Sequence, residues 1–243
     1  MPTILVLEHD PADPVQRLGE WLTEAGAELV VCRPPAGDEV PEAGFDALVC
    51  LGGHMSATDD DATPWLPATK RLLRRVIADG TPTLGICLGA QLLALAGGGA
   101  VETGADGPEI GAYLTAKRDA ATDDPLFADV PMTPDVMQCH DDVVSVLPPG
   151  AVLLLSGTGY PHQAWRQGRA AWAMQFHPEA TAAVVRDWAG RHGVTGGRRL
   201  GPMLDEADDA ATDVWRDVAH RFVAFLERPP VTRETLPITA MRR

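Results

Sequence analysis

One cysteine stands between two glycines where an apolar run gives way to a helical pattern. The segment is GICLGAQLLALAGG, residues 85–98, with Cys87 between Gly85 and Gly89. A tight strand-to-helix turn exposes its central side chain, and flanking glycines remove side chains that would crowd it. The N-terminal end of the following helix favours the thiolate, and the Leu88 N–H is a candidate oxyanion donor. The pattern is typical of a nucleophile, although most cysteines are simply buried small side chains.

A base for this nucleophile is suggested by the later segment AWAMQFHPEA, residues 171–180. A strand-like apolar run ends at His177, and Pro178 stops the pairing of the strand. In an extended chain residues 177 and 179 point to the same side, so Glu179 is placed to orient the imidazole, like the third member of a triad. A histidine that merely ends a strand is the better interpretation of His177 alone. Together with Cys87, it predicts a Cys-His-Glu set.

A third segment, LGGHM at residues 51–55, ends another predicted strand. Consecutive glycines there let the backbone approach a ligand closely and leave an N–H free to point into a site. An ordinary glycine turn is the better interpretation of this segment when it is considered by itself.

Alternating strand and helix patterns position these segments. The predicted strands cover residues 3–9, 27–33, 45–53 and 81–87. The predicted helices cover residues 13–26, 65–80 and 88–98. Asp13 is the expected N-cap of the first helix, with Pro14 at its first position. This order predicts an α/β fold with a mostly parallel sheet and helices on both faces, in which strand ends gather functional residues.

The second half of the chain contains closely spaced strand patterns separated by turns, which predict mixed or antiparallel strands added to the parallel core. They are GAYLTAK, DVMQCHDD, AVLLLSG, HQAWRQG and RAAWAMQF. A helix over 180–192 then precedes a Gly/Arg-rich link, TGGRRLGP.

A last helix is predicted over residues 205–227, followed by a frayed tail. One stripe of this helix is apolar, and we expect it to dock on the protein's own core rather than on a partner. The stripe consists of Ala207, Ala211, Val214, Trp215, Val218, Phe222 and Phe225.

Composition excludes several function classes. The 243 residues carry a net charge of −14, which argues against binding to nucleic acid or to an anionic membrane surface. The first residues lack the pattern of a signal peptide, and no apolar segment approaches the length of a membrane span. Four widely spaced cysteines, Cys32, Cys50, Cys87 and Cys139, form no CxxC pair. We therefore expect a cytoplasmic protein with free thiols and without a zinc site.

These segments together resemble the class I (triad) glutamine amidotransferases, and most closely the glutaminase domain of GMP synthase and its stand-alone relatives. The matching segments are LGGHM, PTLGICLGAQLLA, EIGAY, CHDDVVSVLP and QFHPEA, in the family's order and at about its spacing. The resemblance covers roughly residues 40–190. It implies a flavodoxin-like three-layer α/β sandwich, with a mostly parallel central sheet, extra antiparallel strands and a C-terminal helix. Residues 1–195 would form the amidotransferase domain, and residues 196–243 a linker, helix and tail packed on it.

The resemblance implies catalytic roles at matching positions. Cys87 would attack the γ-carboxamide carbon of glutamine to form a γ-glutamyl thioester. His177 would take the thiol proton and later protonate the leaving amine, while Glu179 orients it. The N–H groups of Gly53 and Leu88 would hold the oxyanion. No cofactor or metal is implied.

The resemblance also implies substrate contacts. Gln91 would contact the α-amino acid end of glutamine, and Asp142 would pair with its α-ammonium group. Asp141 stands where the family usually has glycine. His54 replaces the family's usual proline, where its ring could crowd or contact the substrate, and Cys139 replaces an aromatic or small residue. Neither of these last two changes removes a catalytic group.

Three functions remain open at this point. The chain could be a glutaminase that passes ammonia to a separate synthetase, since we find neither a phosphate-binding loop nor room for a synthetase domain. It could instead be an autonomous γ-glutamyl hydrolase or peptidase. The third possibility, a non-catalytic binding protein on this scaffold, is disfavoured by the intact set of Cys87, His177 and Glu179.

Overall fold

The computed structural model describes residues 1–194 and 197–227, without the side chains of residues 197–200. The strands are β1 (Thr3–Leu7), β2 (Glu28–Cys32), β3 (Ala47–Cys50), β4 (Thr83–Ile86), β5 (Ala100–Thr103), β6 (Glu109–Leu114), β7 (Ala116–Lys117), β8 (Asp135–His140), β9 (Asp142–Val146), β10 (Val152–Ser156), β11 (Ala164–Gln167) and β12 (Ala171–Met174). The helices are α1 (Gln16–Glu24), α2 (Leu66–Asp79), α3 (Leu88–Ala96), α4 (Ala182–Arg191) and α5 (Gly197–Leu226).

A central sheet of eight strands has the order β2-β1-β3-β4-β12-β11-β10-β7. The first five strands are parallel, and the last three are added in antiparallel pairs. Two further antiparallel pairs, β5–β9 and β6–β8, form separate two-stranded sheets. The expected antiparallel strands therefore exist, but some of them pair with each other instead of extending the parallel core.

Successive side chains of each strand point to opposite faces of the central sheet, and this divides the core into two layers. Along β1, Ile4 and Val6 face the layer that contains α1 and α5, whereas Leu5 and Leu7 face α2 and α3. The sheet is thus covered on both faces, which confirms the predicted three-layer α/β fold with a C-terminal helix. No helix in the described part of the chain is both long and apolar enough to cross a membrane.

Helix α5 packs along the α1 face of the sheet. The predicted apolar stripe docks on the core, with Trp215 and Phe222 almost fully buried. The Trp215 indole donates a hydrogen bond of 3.1 Å to the carbonyl of Asp135. The division of the chain at residue 195 stays a prediction, and the expected frayed tail, residues 228–243, lies outside the described residues.

Two local predictions were wrong. Asp13 does not cap α1: the helix begins at Gln16, and the N–H of Val15 is satisfied instead by the Glu8 carboxylate at 3.1 Å. The Gly/Arg-rich segment is not a link from residue 197 onwards, because α5 already begins there and includes Pro202. Burial of Leu204 against α4 outweighs the low helix propensity of glycine and proline in this segment.

Candidate active site

Cys87 lies at the turn between β4 and α3, where the backbone is strained. Its φ of 50° and ψ of −109° are rarely adopted by a residue with a side chain. The surrounding backbone holds this conformation: the Cys87 N–H donates to the carbonyl of Met174 at 2.8 Å, and its carbonyl accepts from Gln91 at 3.0 Å. The predicted strand-to-helix turn is therefore present, with Cys87 as its central residue.

The two flanking glycines bring α3 against the sheet. A Cβ atom at Gly89 would lie 1.9 Å from the carbonyl oxygen of Cys50, and one at Gly85 would lie 2.8 Å from that of Gly89. From the sequence, these glycines are expected to clear space around the thiol. The structure shows that they also permit the close approach of helix and strand.

His177 and Glu179 are in direct contact. The His177 Nδ1 and Glu179 Oε1 atoms are 2.5 Å apart, and both side chains are buried. The contact arises in a turn after β12, which ends at Met174, and not by alternation within an extended strand as predicted. The backbone N–H of His177 donates a hydrogen bond to the carbonyl of Met137 at 2.8 Å, which fixes the turn to β8.

The charge state of His177 follows from its neighbours. Burial by itself lowers the pKa of this imidazole, but Glu179, Cys87 and Asp13 together raise it well above its usual value. Burial raises the pKa of the Cys32, Cys50 and Cys139 thiols, that of Cys139 to about 12, which disfavours a thiolate at these three positions.

A cavity of about 460 Å³ joins Cys87 to the residues expected to contact substrate. It is lined by Cys87 and His177 together with four other predicted site residues: Gly53, His54, Gln91 and Asp142. Glu179 and Leu88 are buried behind this surface. The structure thus brings the predicted site residues to one place, while the roles of Gly53 and Leu88 in holding an oxyanion stay predictions.

The side chains expected to contact substrate are already held by hydrogen bonds. The Gln91 amide donates to the carbonyl of Asp142 at 2.9 Å. The Asp142 carboxylate accepts from the Ser56 hydroxyl at 2.7 Å and from that of Thr103 at 2.9 Å. These contacts preorganise one wall of the cavity.

His54, on the rim of the cavity, is exposed. Its Nδ1 atom lies 2.5 Å from Oδ2 of Asp10, which orients the ring from the loop after β1. His54 lines the cavity, as expected of a residue that could meet the substrate.

Two residues of the site were missed by the sequence analysis. Asp13 lines the cavity, with Oδ2 at 3.8 Å from the Nδ1 atom of His177. Arg17 fixes the turn that carries Glu179 by donating to the carbonyls of Pro178 at 3.1 Å and Ala180 at 2.6 Å. Each lies more than 150 positions before its partners, so no local pattern could reveal it.

One set of potential metal-ligating groups lies in the described part of the chain: Asp13, His177 and Glu179 offer ligand atoms within 4.8 Å of one another. The Nδ1 atom of His177 is already bonded to Glu179.

A family model supports the geometric interpretation. Residues 15–186 match the model for glutamine amidotransferase class-I, which covers more than half of the chain. The chain belongs to the class I glutamine amidotransferases. The matched range includes Cys87, His177 and Glu179.

Known relatives agree with this membership. This chain is 33% identical over 190 residues to the glutamine-hydrolysing GMP synthase of Thermosipho africanus. The matched region covers 77% of this chain but 34% of that enzyme. The chain spans about a third or less of the length of this enzyme and of the GMP synthases of Thermomicrobium roseum and Thermus thermophilus. It is also 30% identical to the glutamine amidotransferase-like protein YfeJ of Salmonella typhimurium, covering 68% of the chain and 71% of YfeJ.

Solved structures share the fold over most of the chain. A glutamine amidotransferase from Methylobacillus flagellatus superposes with a TM-score of 0.79 at 26% identity, covering 94% of this chain and 96% of that one. Another from Thermotoga maritima has a TM-score of 0.81 at 24% identity and covers 93% of this chain and 97% of that one.

Proposed function

We propose that this amidotransferase hydrolyses the γ-carboxamide of L-glutamine to glutamate and ammonia, and that the ammonia passes to a separate synthetase. The observation that carries the proposal is the strained Cys87 turn, which opens into the same cavity as the buried His177–Glu179 pair. A nucleophile, a proton carrier and an orienting carboxylate are the parts that acyl transfer requires. Family membership and the glutamine-hydrolysing relatives support the choice of substrate.

In the first half of the proposed reaction, the Cys87 sulfur attacks the γ-carbon of glutamine. The carbonyl electrons move onto the oxygen, and the N–H groups of Gly53 and Leu88 donate to this oxyanion. His177, carrying the proton from the thiol, transfers it to the amide nitrogen as the C–N bond breaks. Ammonia leaves, and a γ-glutamyl thioester remains on Cys87.

In the second half, water hydrolyses the γ-glutamyl thioester. His177 accepts a proton from the water while the water oxygen attacks the γ-carbon. The C–S bond then breaks, the Cys87 sulfur takes the proton from His177, and glutamate leaves. Glu179 keeps the imidazole oriented in both halves through the Nδ1 contact of 2.5 Å. Gln91 and the Asp142 carboxylate recognise the α-amino acid end of the substrate.

An autonomous γ-glutamyl hydrolase is the alternative. One observation favours it: a second cavity of about 500 Å³ shares His54, Met55 and Ser56 with the first. This space would accept a leaving group larger than ammonia. A γ-glutamyl amide or peptide would then be cleaved by the same thioester chemistry.

Glutamate release by the purified chain and by its Cys87→Ala variant tests these proposals. The substrates are L-glutamine and a small panel of γ-glutamyl amides and peptides. Slow release from glutamine alone, absent in the variant, supports a glutaminase that needs a synthetase. Rapid release from a γ-glutamyl peptide, also absent in the variant, supports the autonomous hydrolase. Equal release by the variant would overturn both.

A further inference from the structure

A second buried carboxyl group lies beside the His177–Glu179 pair and has no part in the reaction as described. The Asp13 side chain, in the loop between β1 and α1, is 7% exposed, and its Oδ2 atom is 3.8 Å from Nδ1 of His177. Carboxyl oxygens of Asp13 and Glu179 both lie within 4.8 Å of the imidazole and of each other. Two acidic groups therefore share one imidazole.

The backbone around Asp13 is built to admit this carboxyl group. A Cβ atom at Gly52 would lie 2.0 Å from Oδ2 of Asp13 and 3.0 Å from Cε1 of His177. The Asp13 N–H donates to the carbonyl of Asp10 at 3.0 Å, which closes the loop behind the side chain. The first glycine of the LGG segment thus makes room for the contact between Asp13 and the catalytic groups.

Two charged carboxylates in this position would be costly. Oδ1 of Asp13 and Oε2 of Glu179 are both buried, and neither has a hydrogen-bond partner within the described ranges. Like charges at close range, away from water, favour protonation of one of the two groups. Burial raises the pKa of Asp13 to about 8, with His177 opposing the shift and Glu179 adding to it.

Among the described residues, the other groups of the cavity that can carry a positive charge have partners of their own: Arg191 pairs with Asp187, His54 contacts Asp10, and His192 contacts the carbonyl of Trp188. Asp10 comes from the same loop, Cys87 from the start of α3 and Cys139 from β8. Arg17 of α1 is directed to backbone carbonyls of the Glu179 turn and to Asp208 of α5. The imidazole of His177 is therefore the cation that the two carboxyl groups share.

We propose that Asp13, in its protonated form, is a positioning residue that donates a hydrogen bond to Glu179 and so fixes the carboxylate that orients His177. This inference rests on the proposed function, in which His177 carries the proton. When Asp13 loses its proton, the donation ends and a second negative charge repels Glu179. Activity should then decline on the alkaline side.

Asp13→Asn and Asp13→Leu separate hydrogen bonding from simple space filling. The Asn amide can donate a hydrogen bond to Glu179 at any pH and does not ionise. The Leu side chain does not ionise either, but it cannot donate a hydrogen bond. At pH 7 we expect Asp13→Asn to keep kcat within about threefold of the wild type and Asp13→Leu to lose about tenfold or more, with little change in KM. The wild type should lose rate with a midpoint near pH 8, and Asp13→Asn should not.

A second readout does not depend on the substrate. Mass spectrometry of the Cys87 peptide gives the rate of its alkylation by iodoacetamide as a function of pH. We expect the profile of Asp13→Leu to differ from that of the wild type, and that of Asp13→Asn to differ only above pH 8. Circular dichroism verifies that each variant is folded, and Asp129→Asn, a surface change outside the cavity, should leave both readouts unchanged.

Two outcomes would overturn the role of Asp13. One is an Asp13→Leu variant with the wild-type kcat and alkylation profile. The other is an Asp13→Asn variant as impaired as Asp13→Leu, because a donor would then fail to rescue. If the wild type releases no glutamate, the proposed function fails, and the alkylation profiles alone decide whether Asp13 positions the triad.

Discussion

The contact between α3 and β3 allows a direct test of how the Cys87 turn is held in place. We consider the substitution Gly89→Ala at the second residue of α3. Its new Cβ atom would lie 1.9 Å from the carbonyl oxygen of Cys50, where ordinary contact begins at 3.4 Å. The Cys50 carbonyl belongs to the backbone, and no side-chain rotation can move a Cβ atom. The helix must therefore move away from the strand by more than an ångström.

The expected free-energy change combines two opposing effects. Alanine in place of glycine favours a helix by up to about 1 kcal/mol. Overpacking costs about 1–3 kcal/mol where side chains can adjust, and more where backbone must move. We therefore expect Gly89→Ala to lower the free energy of unfolding by at least about 2 kcal/mol. Cys87 immediately precedes this helix, so glutamate release should fall as well.

Gly190→Ala in α4 is the matched control. It makes the same chemical change in a helix, but nothing lies within 4 Å of the new Cβ atom. This variant should be as stable as the wild type or more stable, by up to about 1 kcal/mol. Urea unfolding measures the free energy of unfolding of both variants, from the shift in the midpoint of the transition when its slope is unchanged. A Gly89→Ala protein as stable as Gly190→Ala would refute the packing argument.

Three further predictions concern the catalytic turn and its support. Glu179→Gln should lower kcat/KM for glutamate release by about 10²–10³-fold, less than Cys87→Ala, because the change affects orientation rather than bond formation. Asp208→Ala should lower the free energy of unfolding in urea by about 2 kcal/mol, because it leaves the largely buried Arg17 without its carboxylate partner. His9 is buried, which lowers its pKa to about 4, so the unfolded chain binds a proton that the folded one does not between pH 6.5 and 4. The His9 contribution to stability should therefore fall as pH decreases through this window, and a His9→Gln variant should lose less stability than the wild type between pH 7 and 4.

Each of these has a contradicting result. An unchanged rate in Glu179→Gln would mean that Asp13 orients the imidazole instead. A fully stable Asp208→Ala protein would mean that the Arg17 contacts are dispensable. Parallel pH profiles of stability for His9→Gln and the wild type would mean that His9 is not buried in its neutral form.

The sequence predicts those parts of the site that depend on neighbouring residues. Cys87 and His177 each lie in a short segment whose chemistry is local: a glycine-flanked turn, and a turn with proline that follows a strand. The α/β order and the buried stripe of α5 follow from periodicity, which is a local property too.

What the sequence does not predict comes from long-range contacts. Arg17 and Asp208 are 191 positions apart, and nothing near either residue indicates the pair. Asp13 looks like a helix cap because Pro14 follows it, but Glu8 satisfies the Val15 amide and leaves the Asp13 carboxyl free to face His177. Helix α5 begins at residue 197 and not at residue 205 as predicted, because packing against α4 outweighs the low helix propensity of glycine and Pro202.

Covalent labelling with an electrophilic glutamine analogue tests the central claim most directly. The intact protein and its proteolytic peptides are weighed after reaction, with and without excess L-glutamine. We predict one adduct per chain, located on Cys87, slowed by glutamine and absent from the Cys87→Ala variant. An adduct on Cys32, Cys50 or Cys139 with Cys87 unmodified would contradict the assignment of Cys87 as the nucleophile.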